Sequence, residues 1–553
     1  METTNLSKIR REKMLKTISE IKKSIYDEST LNNLSLIESE LNSKKYGLIW
    51  EEHEERVDVE LGSQIPVFVE SKMQEIKLSN NDKYNFLLEG DNLHSLYLLE
   101  KTHKNKIDVI YIDPPYNTGK DDFRYDDKMI GEDDLFRHSK WISFISKRLE
   151  QSKKLLKDDG IIFISIDDNE QATMRLICDD IFGENNRVAT FVWKKRYQGA
   201  KEKHIVVVQE YILMYCKNKD LLPTLFVSSD EEYAKKYFKN SDEWGSYRTQ
   251  PLEAGKSMDD RPNLRFPIMA PDGTEVYPKR QWIWGKEHVD EGIKKHVIGF
   301  SKAKNGSWNV FIKQYLHNED GEQRKTKMFS IIDGIYTQHG TKEIENIFGD
   351  GNVFKFPKPS KLIKRLLELT NYKHDPLILD FFAGSGTTAH AVLEMNNEDN
   401  GKRQFILCTN NENNICEDIT YQRIKTVITG KRLDGSNYSS GIKSNLKYYK
   451  TAYVPRINTD EENLSKNLMV NIKNLIQLEN GIEIDDKIVR VILTEEDIDI
   501  FTTNEKELNE CEKLYISSDI LLTSKQSKIF KDYNIELFII PEYYFEDEIR
   551  EVA

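Results

Sequence analysis

The sequence predicts an α/β protein with a doubly wound parallel sheet, an inserted second domain and a small C-terminal α/β module. Residues 86–183 alternate strand, helix, strand and helix patterns, which is typical of a parallel sheet covered by helices. Residues 219–345 lose that alternation, and a strand–turn–helix pattern returns at 376–395. One sheet built from two separated stretches of chain accounts for this order.

The first stretch begins with FLLEGDNLHSLYLLE at 86–100, which predicts a strand, a glycine turn and a helix. Residues 107–112 form an apolar run typical of a strand buried on both faces, and two prolines then end it. A helix is predicted over 136–159 because its apolar residues share one face, with Gly160 as its C-terminal cap. A further strand is predicted at 160–166.

The pattern changes after a predicted strand pair at 190–195 and 210–218. The stretch 219–345 combines four tryptophans with many tyrosine, lysine and arginine residues, broken by proline and glycine. We interpret it as a separate inserted module. The sheet pattern resumes with PLILDFFAGSGTTAHAVLEM at 376–395 and the apolar run QFILCT at 404–409.

Length and composition limit the possible classes. A chain of 553 residues predicts two to four domains. It contains no apolar run of about 18 residues, so we expect no membrane span, and its N-terminus lacks the apolar core of a secretory signal. The five cysteines form no CxxC pair, which argues against a zinc site or disulfides and favours the cytoplasm.

The distribution of charge is more informative than the net charge of −13, which by itself opposes nucleic-acid binding. Residues 191–330 hold 25 basic against 19 acidic residues, whereas residues 451–553 hold 11 against 23. The middle of the chain can therefore face phosphates, while the C-terminal stretch would be repelled by them.

A glycine turn follows the strand predicted at 376–380. The sequence from Asp380 to Thr388 reads DFFAGSGTT, and glycines at such a turn let the backbone approach a ligand at a helix N-terminus. The turn lacks the GK[ST] of a phosphate-binding loop and the third glycine of GxGxxG, so a turn with only a packing role stays an alternative. Glu412 follows the next strand, where a carboxylate can accept ribose hydroxyls or simply face solvent.

A second motif, DPPY, follows the strand at 107–112. An exocyclic base amine is a poor nucleophile, and two acceptors aimed at its hydrogens expose its lone pair. Asp113 offers a carboxylate, Pro114 a rigid backbone carbonyl, and Tyr116 a flat face for a base that has left the duplex. The alternative is a proline-rich turn with a hydrogen-bonded aspartate. Both motifs follow parallel strands, so both are expected at the carboxyl edge of the sheet.

These motifs resemble those of DNA amino-methyltransferases. DPPYNTG and FFAGSGTT are similar to the catalytic and cofactor motifs, and their order along the chain resembles the permuted β group, in which a target-recognition domain lies between them. The segments LLEGDNLHSL, FPKPSKLIKRLLEL, ICEDITYQRIKTVITG and NLKYYKT resemble further family segments. The final PEYYFEDEIREV is similar to the end of type III restriction-modification methylation (Mod) subunits.

The resemblance implies a role for each matched residue. The target base would be held by Asp113, Pro114, Pro115 and Tyr116. The cofactor S-adenosyl-L-methionine would be bound by Asp91 at its adenine end and by Glu412 at its ribose, with Lys358 and Pro359 closing the pocket beside it. Its methionine part would be lined by Phe382, Gly384, Ser385, Gly386 and Thr387, and Asp380 and Ala383 belong to the same cofactor-binding motif. One departure is Gln209, which stands where the family is expected to have histidine before Glu210.

The implied activity is methylation of N6 of adenine in duplex DNA by direct in-line transfer, with no metal, in a type III modification subunit. The implied partners are double-stranded DNA, a second copy of the chain in a homodimer, and a helicase-nuclease (Res) subunit. Asp113 favours adenine, because family members acting on N4 of cytosine more often have serine there. The alternatives left open are N4-cytosine methylation, a stand-alone methyltransferase without nuclease, methylation of RNA or of a protein glutamine, and an assembly subunit without catalysis.

The resemblance also gives the domains their predicted functions. They are an N-terminal helical arm (1–60), the first part of a Rossmann-like methyltransferase domain with the catalytic motif (61–218), a target-recognition insert (219–345), the second part with the cofactor motif (346–450), and a C-terminal assembly module (451–553).

Overall fold

The computed structural model describes most of the chain. The described residues are 6–24, 27–42, 50–51, 53–79, 83–120, 124–125, 128–131, 133–199, 204–228, 234, 237–256, 258–318, 320–321, 323–373, 375–455 and 461–540. The C-terminal PEYYFEDEIREV segment, which carries part of the type III resemblance, lies outside them.

A ten-stranded sheet is the largest sheet of the described residues. Its strands in chain order are β1 (Gln64–Glu70), β2 (Tyr84–Glu89), β3 (Ile107–Ile112), β4 (Leu156–Ile166), β5 (Arg187–Lys194), β6 (Gln209–Cys216), β7 (Ile331–Ile332), β8 (Leu377–Asp380), β9 (Gln404–Thr409) and β10 (Asn445–Pro455).

The order of strands across the sheet is β1-β10-β2-β9-β8-β3-β4-β6-β5-β7. The six strands from β10 to β4 are mutually parallel, whereas β1 and β6 run in the opposite direction. The central strands are buried along almost their whole length, as continuous apolar runs predict. The carboxyl ends of β2, β9, β8, β3 and β4 therefore meet at one edge, which confirms the predicted doubly wound α/β class.

The described residues also form α-helices, both next to the strands of the main sheet and in other parts of the chain. In chain order they span Leu6–Lys22, Glu28–Asn42, Arg56–Ser63, Asn92–His103, Arg137–Leu155, Gln171–Cys178, Lys286–Lys294, Thr337–Phe348, Ser360–Leu367, Thr387–Asp399, Tyr421–Thr429, Glu461–Asn480, Glu495–Thr503, Glu505–Glu510 and Ser524–Asp532. Among the described residues, none of these helices has both the length and the apolar character needed to cross a membrane.

The end predicted for the helix at 136–159 was wrong. The helix Arg137–Leu155 ends before Gly160, which lies inside β4 instead of capping the helix. The pairing of β3 with β4 shifts register between Ile107 and Val109, and a Cβ at Gly160 would come within 2.8 Å of the Lys157 carbonyl oxygen. Glycine is therefore required by a close backbone approach in an irregular strand.

The chain divides into two compact units. One contains the described residues within 1–221, 330–360 and 375–553, and the other contains those within 222–329 and 361–374. The second unit differs from the predicted insert 219–345 at its end, because β7 pairs with β5 and so returns the chain to the main sheet. A two-residue strand leaves too short a pattern to be found from sequence.

The second unit has its own core. Its four-stranded antiparallel sheet runs in the order 240–242, 245–251, 308–315 and 298–302. Trp282 is buried with Leu252 and Val289, and its indole N–H donates to the Phe266 carbonyl at 2.8 Å. Trp244 is 59% exposed and stacks on His296. The four tryptophans of this segment therefore include core and surface residues.

The C-terminal stretch predicted at 451–553 is only partly a separate module. β10 belongs to the main sheet, and the helix Glu461–Asn480 contributes Leu475 and Ile476 to the main core. A parallel three-stranded sheet, β11 (Val489–Ile492), β12 (Lys513–Ile516) and β13 (Glu536–Ile539), then follows with a hydrophobic cluster of its own. The parallel strands and their helices agree with the predicted α/β character of the module, but the separate hydrophobic cluster begins only at Ile492, about 40 residues after the predicted boundary.

Candidate active site

A cleft of about 1400 Å³ opens at the carboxyl edge of the main sheet. It brings together nine of the fifteen residues predicted for the site, namely Asp91, Asp113, Pro114, Pro115, Tyr116, Lys358, Phe382, Gly384 and Glu412. The other six do not line it and are Pro359, Asp380, Ala383, Ser385, Gly386 and Thr387. The two motifs, which lie far apart in sequence, therefore share one wall of a cleft large enough for a nucleoside and a base.

The Asp113 carboxylate is the centre of a dense polar contact. Both of its oxygens accept from the Lys358 ammonium at 2.8 Å, and Oδ1 also accepts from the Tyr116 hydroxyl at 2.8 Å. Lys358 was predicted to close the cofactor pocket. The structure places its ammonium 2.8 Å from both oxygens of the Asp113 carboxylate, a contact that the motif did not reveal.

The loop after Asp113 is held from behind by buried side chains. The Trp141 indole N–H donates to the Pro115 carbonyl at 2.7 Å, and the Asn117 amide donates to Glu170 at 2.6 Å. Asn117 has a positive φ of 55°, and Glu170 is fully buried. The Pro115 oxygen already accepts from Trp141, and the Pro114 carbonyl stays the predicted second acceptor beside Asp113.

Glu210 is a residue of the site that the motifs did not reveal. It lies at the start of β6, whose antiparallel pairing places it beside the carboxyl end of β4. Its Oε2 is 3.2 Å from the Tyr116 hydroxyl and 3.5 Å from the Lys358 ammonium, while Oε1 accepts from Lys195 at 2.8 Å. Gln209 contacts Asp168 instead of the DPPY loop. The only sequence signal was the family position of the Gln209–Glu210 pair.

The carboxylates and ammonium groups of this cluster stabilise each other in their charged forms. Burial alone would raise the pKa of Glu210, but the ammonium groups of Lys358 and Lys195 outweigh burial and lower it. Burial alone would lower the pKa of Lys358, yet Asp113 and Glu210 raise it. Burial, reinforced by Asp113, raises the pKa of Tyr116 well above its ordinary value, so its hydroxyl stays protonated at neutral pH.

The glycine turn is anchored by Asp380. Its carboxylate accepts from the Thr388 hydroxyl at 2.5 Å and from the Phe382 backbone N–H at 3.0 Å, and burial raises its pKa to about 7. Gly384 has φ +48° and lines the cleft, and a Cβ there would contact the Phe354 ring at 3.4 Å. The turn thus presents bare backbone to the cleft at Gly384.

Ser385, Gly386 and Thr387, for which we predict direct cofactor contacts, do not line the cleft. The Ser385 and Thr387 hydroxyls accept from the buried Arg423 guanidinium at 3.0 and 2.8 Å. A Cβ at Gly386, where φ is +75°, would meet Thr420 at 3.2 Å. These residues therefore fasten the turn to the helix Tyr421–Thr429, because the strand-to-helix turn can direct only part of its backbone outward.

Two predicted ligands flank the turn at the ends of neighbouring strands. Glu412 is exposed just after β9 and lines the cleft. Asp91, after β2, caps the helix Asn92–His103 by accepting from the Leu93 backbone N–H at 2.7 Å, and it lies 3.3 Å from the Arg148 guanidinium. The predicted N-terminal arm reaches the same region, because Glu55 also binds Arg148.

These residues fit S-adenosylmethionine. Phe382 supplies an apolar wall, the backbone at Gly384 allows close approach, and Glu412 offers a carboxylate to ribose hydroxyls. A carboxylate beyond the strand that follows a glycine turn is the arrangement by which doubly wound folds hold nucleosides. The part of the cleft near Asp113 remains for the group that receives the methyl.

Comparison with known proteins agrees with the site. A family described as DNA methylase matches residues 107–453, which include both motifs. The StyLTI Mod subunit of a type III restriction-modification enzyme from Salmonella typhimurium is 34% identical over 68% of this chain and 61% of its own length. The EcoPI Mod subunit of Escherichia phage P1 is 32% identical, over 70% and 66%. The type II methyltransferase M.KpnI from Klebsiella pneumoniae is 34% identical, over 65% and 89%.

The similarity confirms the resemblance to type III Mod subunits that the motifs indicated. The chain matches slightly less than two thirds of the length of those two relatives. The family match covers more than half of the chain and contains the strands that carry Asp113, the glycine turn and Glu412. The chain therefore belongs to the DNA methylase family.

Proposed function

We propose that this chain transfers a methyl group from S-adenosylmethionine to N6 of adenine in duplex DNA, as the modification subunit of a type III restriction-modification system. The observation that carries the proposal is the position of Asp113, whose carboxylate lines the same cleft as Gly384 and Glu412. One end of the cleft suits a nucleoside cofactor and the other offers acceptors for an amine. The names of the relatives support the DNA substrate.

The residues of the cleft have distinct tasks in this proposal. The cofactor, when bound, supplies a methyl group activated by a positively charged sulfur. Asp113 and the Pro114 carbonyl accept the hydrogens of the target amine and turn its lone pair toward the cofactor side of the cleft. The Tyr116 ring stacks on the base after it leaves the duplex, and its hydroxyl fixes Asp113. The chain contributes mainly orientation and exclusion of water.

The product distinguishes adenine from cytosine. DNA from cells that express the chain, and that lack other methylation, is expected to contain N6-methyladenine on digestion and mass spectrometry. Only N4-methylcytosine would favour the alternative, since that amine needs the same two acceptors. Sequencing of the modified bases would also give the recognition sequence.

We propose that the unit formed by 222–329 with 361–374 reads the DNA sequence. Its sheet, its exposed Trp244 and the basic balance of 191–330 support a groove-reading module. Replacing 222–329 by the corresponding segment of a relative should change the methylated sequence and leave the methylated atom unchanged. Sequencing of methylated DNA measures this, and a chimera that keeps the original site would place recognition elsewhere.

The remaining proposals concern partners and location. We propose a homodimer that associates with a helicase-nuclease subunit through the acidic C-terminal module, because a folded acidic surface opposes phosphates and suits a protein partner. The five buried free thiols are compatible with the reducing cytoplasm, where we place the protein. Light scattering of the purified chain, alone and with the candidate subunit, tests the assembly.

A further inference from the structure

The Lys358 ammonium binds the Asp113 carboxylate, which the proposed reaction needs as the acceptor for the target amine. It is within 2.8 Å of both oxygens of Asp113, and its side chain is only 9% exposed. We propose that Lys358 stands in for the target amine in the resting site and moves to Glu210 when the base enters. This inference rests on the proposed function, because it assigns Lys358 a positioning role in that reaction.

The ammonium covers the base site in two ways. Besides Asp113, it binds the Tyr116 hydroxyl at 2.8 Å, and it lies 5.0 Å from the centre of the Tyr116 ring. The Trp193 ring centre is 5.9 Å away on another side. An entering base needs both the carboxylate and a ring face, so it must displace the ammonium from its position in this structure.

The Glu210 carboxylate is a second possible partner for the Lys358 ammonium. Its Oε2 is 3.5 Å from Lys358, and Lys195 binds the other oxygen, Oε1. A shift of about 0.7 Å toward Oε2 would bring the ammonium to the usual length of a charged hydrogen bond. Side-chain rotation alone can supply so small a movement, and Lys358 can therefore change carboxylates without moving the backbone.

Charge balance explains why two carboxylates and two ammonium groups are present. A buried charge that loses its partner is costly, so Lys358 could not leave Asp113 for an apolar pocket. Lys358 cannot avoid this cost by losing its proton, because the neighbouring carboxylates raise its pKa. After the shift, Lys358 and Lys195 would share Glu210, while Asp113 would bind the amine beside the positively charged cofactor. Every buried charge thus keeps a partner before and after the base enters.

A double-mutant cycle tests the movement. Glu210→Gln removes the negative charge of the carboxylate that is proposed to receive Lys358. It should lower the single-turnover rate by about 10- to 100-fold, the usual effect of losing a charged hydrogen bond. Lys358→Met removes the ammonium that has to move, so it should lower the rate less than Glu210→Gln does. The double variant should recover the rate of Lys358→Met, because Glu210 is needed only to receive Lys358.

The cycle separates a positioning role from a structural one. If Glu210 only supports the fold, or if Lys358 takes part in the transfer itself, the double variant will be no faster than Glu210→Gln, and the proposal is overturned. Lys195→Met is the matched control, since it removes an ammonium from Glu210 but not from Asp113, and its defect should not be rescued by Lys358→Met. Cofactor affinity and melting temperature, measured for each variant, identify any that has not folded.

A structure of the wild-type chain with its duplex and S-adenosylhomocysteine gives a readout independent of variants. Lys358 Nζ is expected within about 3 Å of Glu210 Oε2 and farther from both Asp113 oxygens than its present 2.8 Å. An ammonium still bound to Asp113 beside a flipped base would overturn the inference. A wild-type chain that methylates no DNA would instead contradict the proposed function, so the two failures can be told apart.

Discussion

Replacing Asp113 by alanine is expected to lower the single-turnover rate of methyl transfer by about 10²- to 10³-fold, the range for losing one preorganised group at a reacting centre. The substitution removes an acceptor from the target amine. Lys358 keeps Glu210 as a partner at 3.5 Å, so we expect the fold to survive. Cofactor binding, measured by equilibrium titration, should be partly retained because Gly384 and Glu412 are unchanged.

Tyr116 provides the matched comparison. Tyr116→Ala removes the stacking face, which is worth roughly 1–3 kcal/mol per base, and should lower activity by about 5- to 150-fold. Tyr116→Phe keeps the ring and removes only the hydroxyl that donates to Asp113 at 2.8 Å, so its loss should be smaller. Equal activity in Asp113→Ala and Tyr116→Phe would contradict the role assigned to the carboxylate.

Gly384→Val is expected to weaken cofactor binding by at least about 100-fold, equivalent to about 2.7 kcal/mol. Gly384 has φ +48°, a conformation that β-branched residues rarely adopt, and its Cβ would project toward the Phe354 ring, which also lines the cleft. Isothermal titration with S-adenosylmethionine measures the effect. Unchanged affinity in a folded variant would show that the turn has only a packing role.

Gly386→Ala is the control that distinguishes a side chain entering the cleft from strain of the backbone at a positive φ. Gly386 also has a positive φ, but its Cβ would meet Thr420 instead of the cleft. We therefore expect Gly386→Ala to lower the melting temperature, with a smaller change in cofactor affinity than Gly384→Val causes. From the sequence we predicted the same role for both glycines, because they belong to one motif. They differ only in the direction in which a Cβ would point, which the structure shows.

Much of the fold could be predicted because parallel strands buried on both faces appear as uninterrupted apolar runs. The predicted bounds of β3 and β9 coincide with the strands in the structure, and the loops that follow them reach the same edge. The predicted family is also confirmed. The roles assigned to individual residues, from Asp91 to Glu412, stay predictions that the variants above address.

The parts that could not be predicted depend on pairing between distant segments. Glu210 reaches the site because β6 runs against β4, and a strand pattern does not specify the direction of its neighbour. Arg423 holds the glycine turn from a helix later in the chain, at a position that reads as an ordinary helix residue. Lys358 was assigned from its motif to the cofactor, and the motif gives no sign that its ammonium binds the Asp113 carboxylate.

The place of β2 in the sheet has a consequence for synthesis on the ribosome. β2 lies between β9 and β10, and Tyr84 and Asn85 bond to Gln404 and Asn445, which follow 320 and 360 residues later. During translation, the nascent chain must carry β2 with both edges unpaired until most of the protein has emerged. Unpaired strand edges promote aggregation, so yield during expression should depend on chaperones that bind such edges.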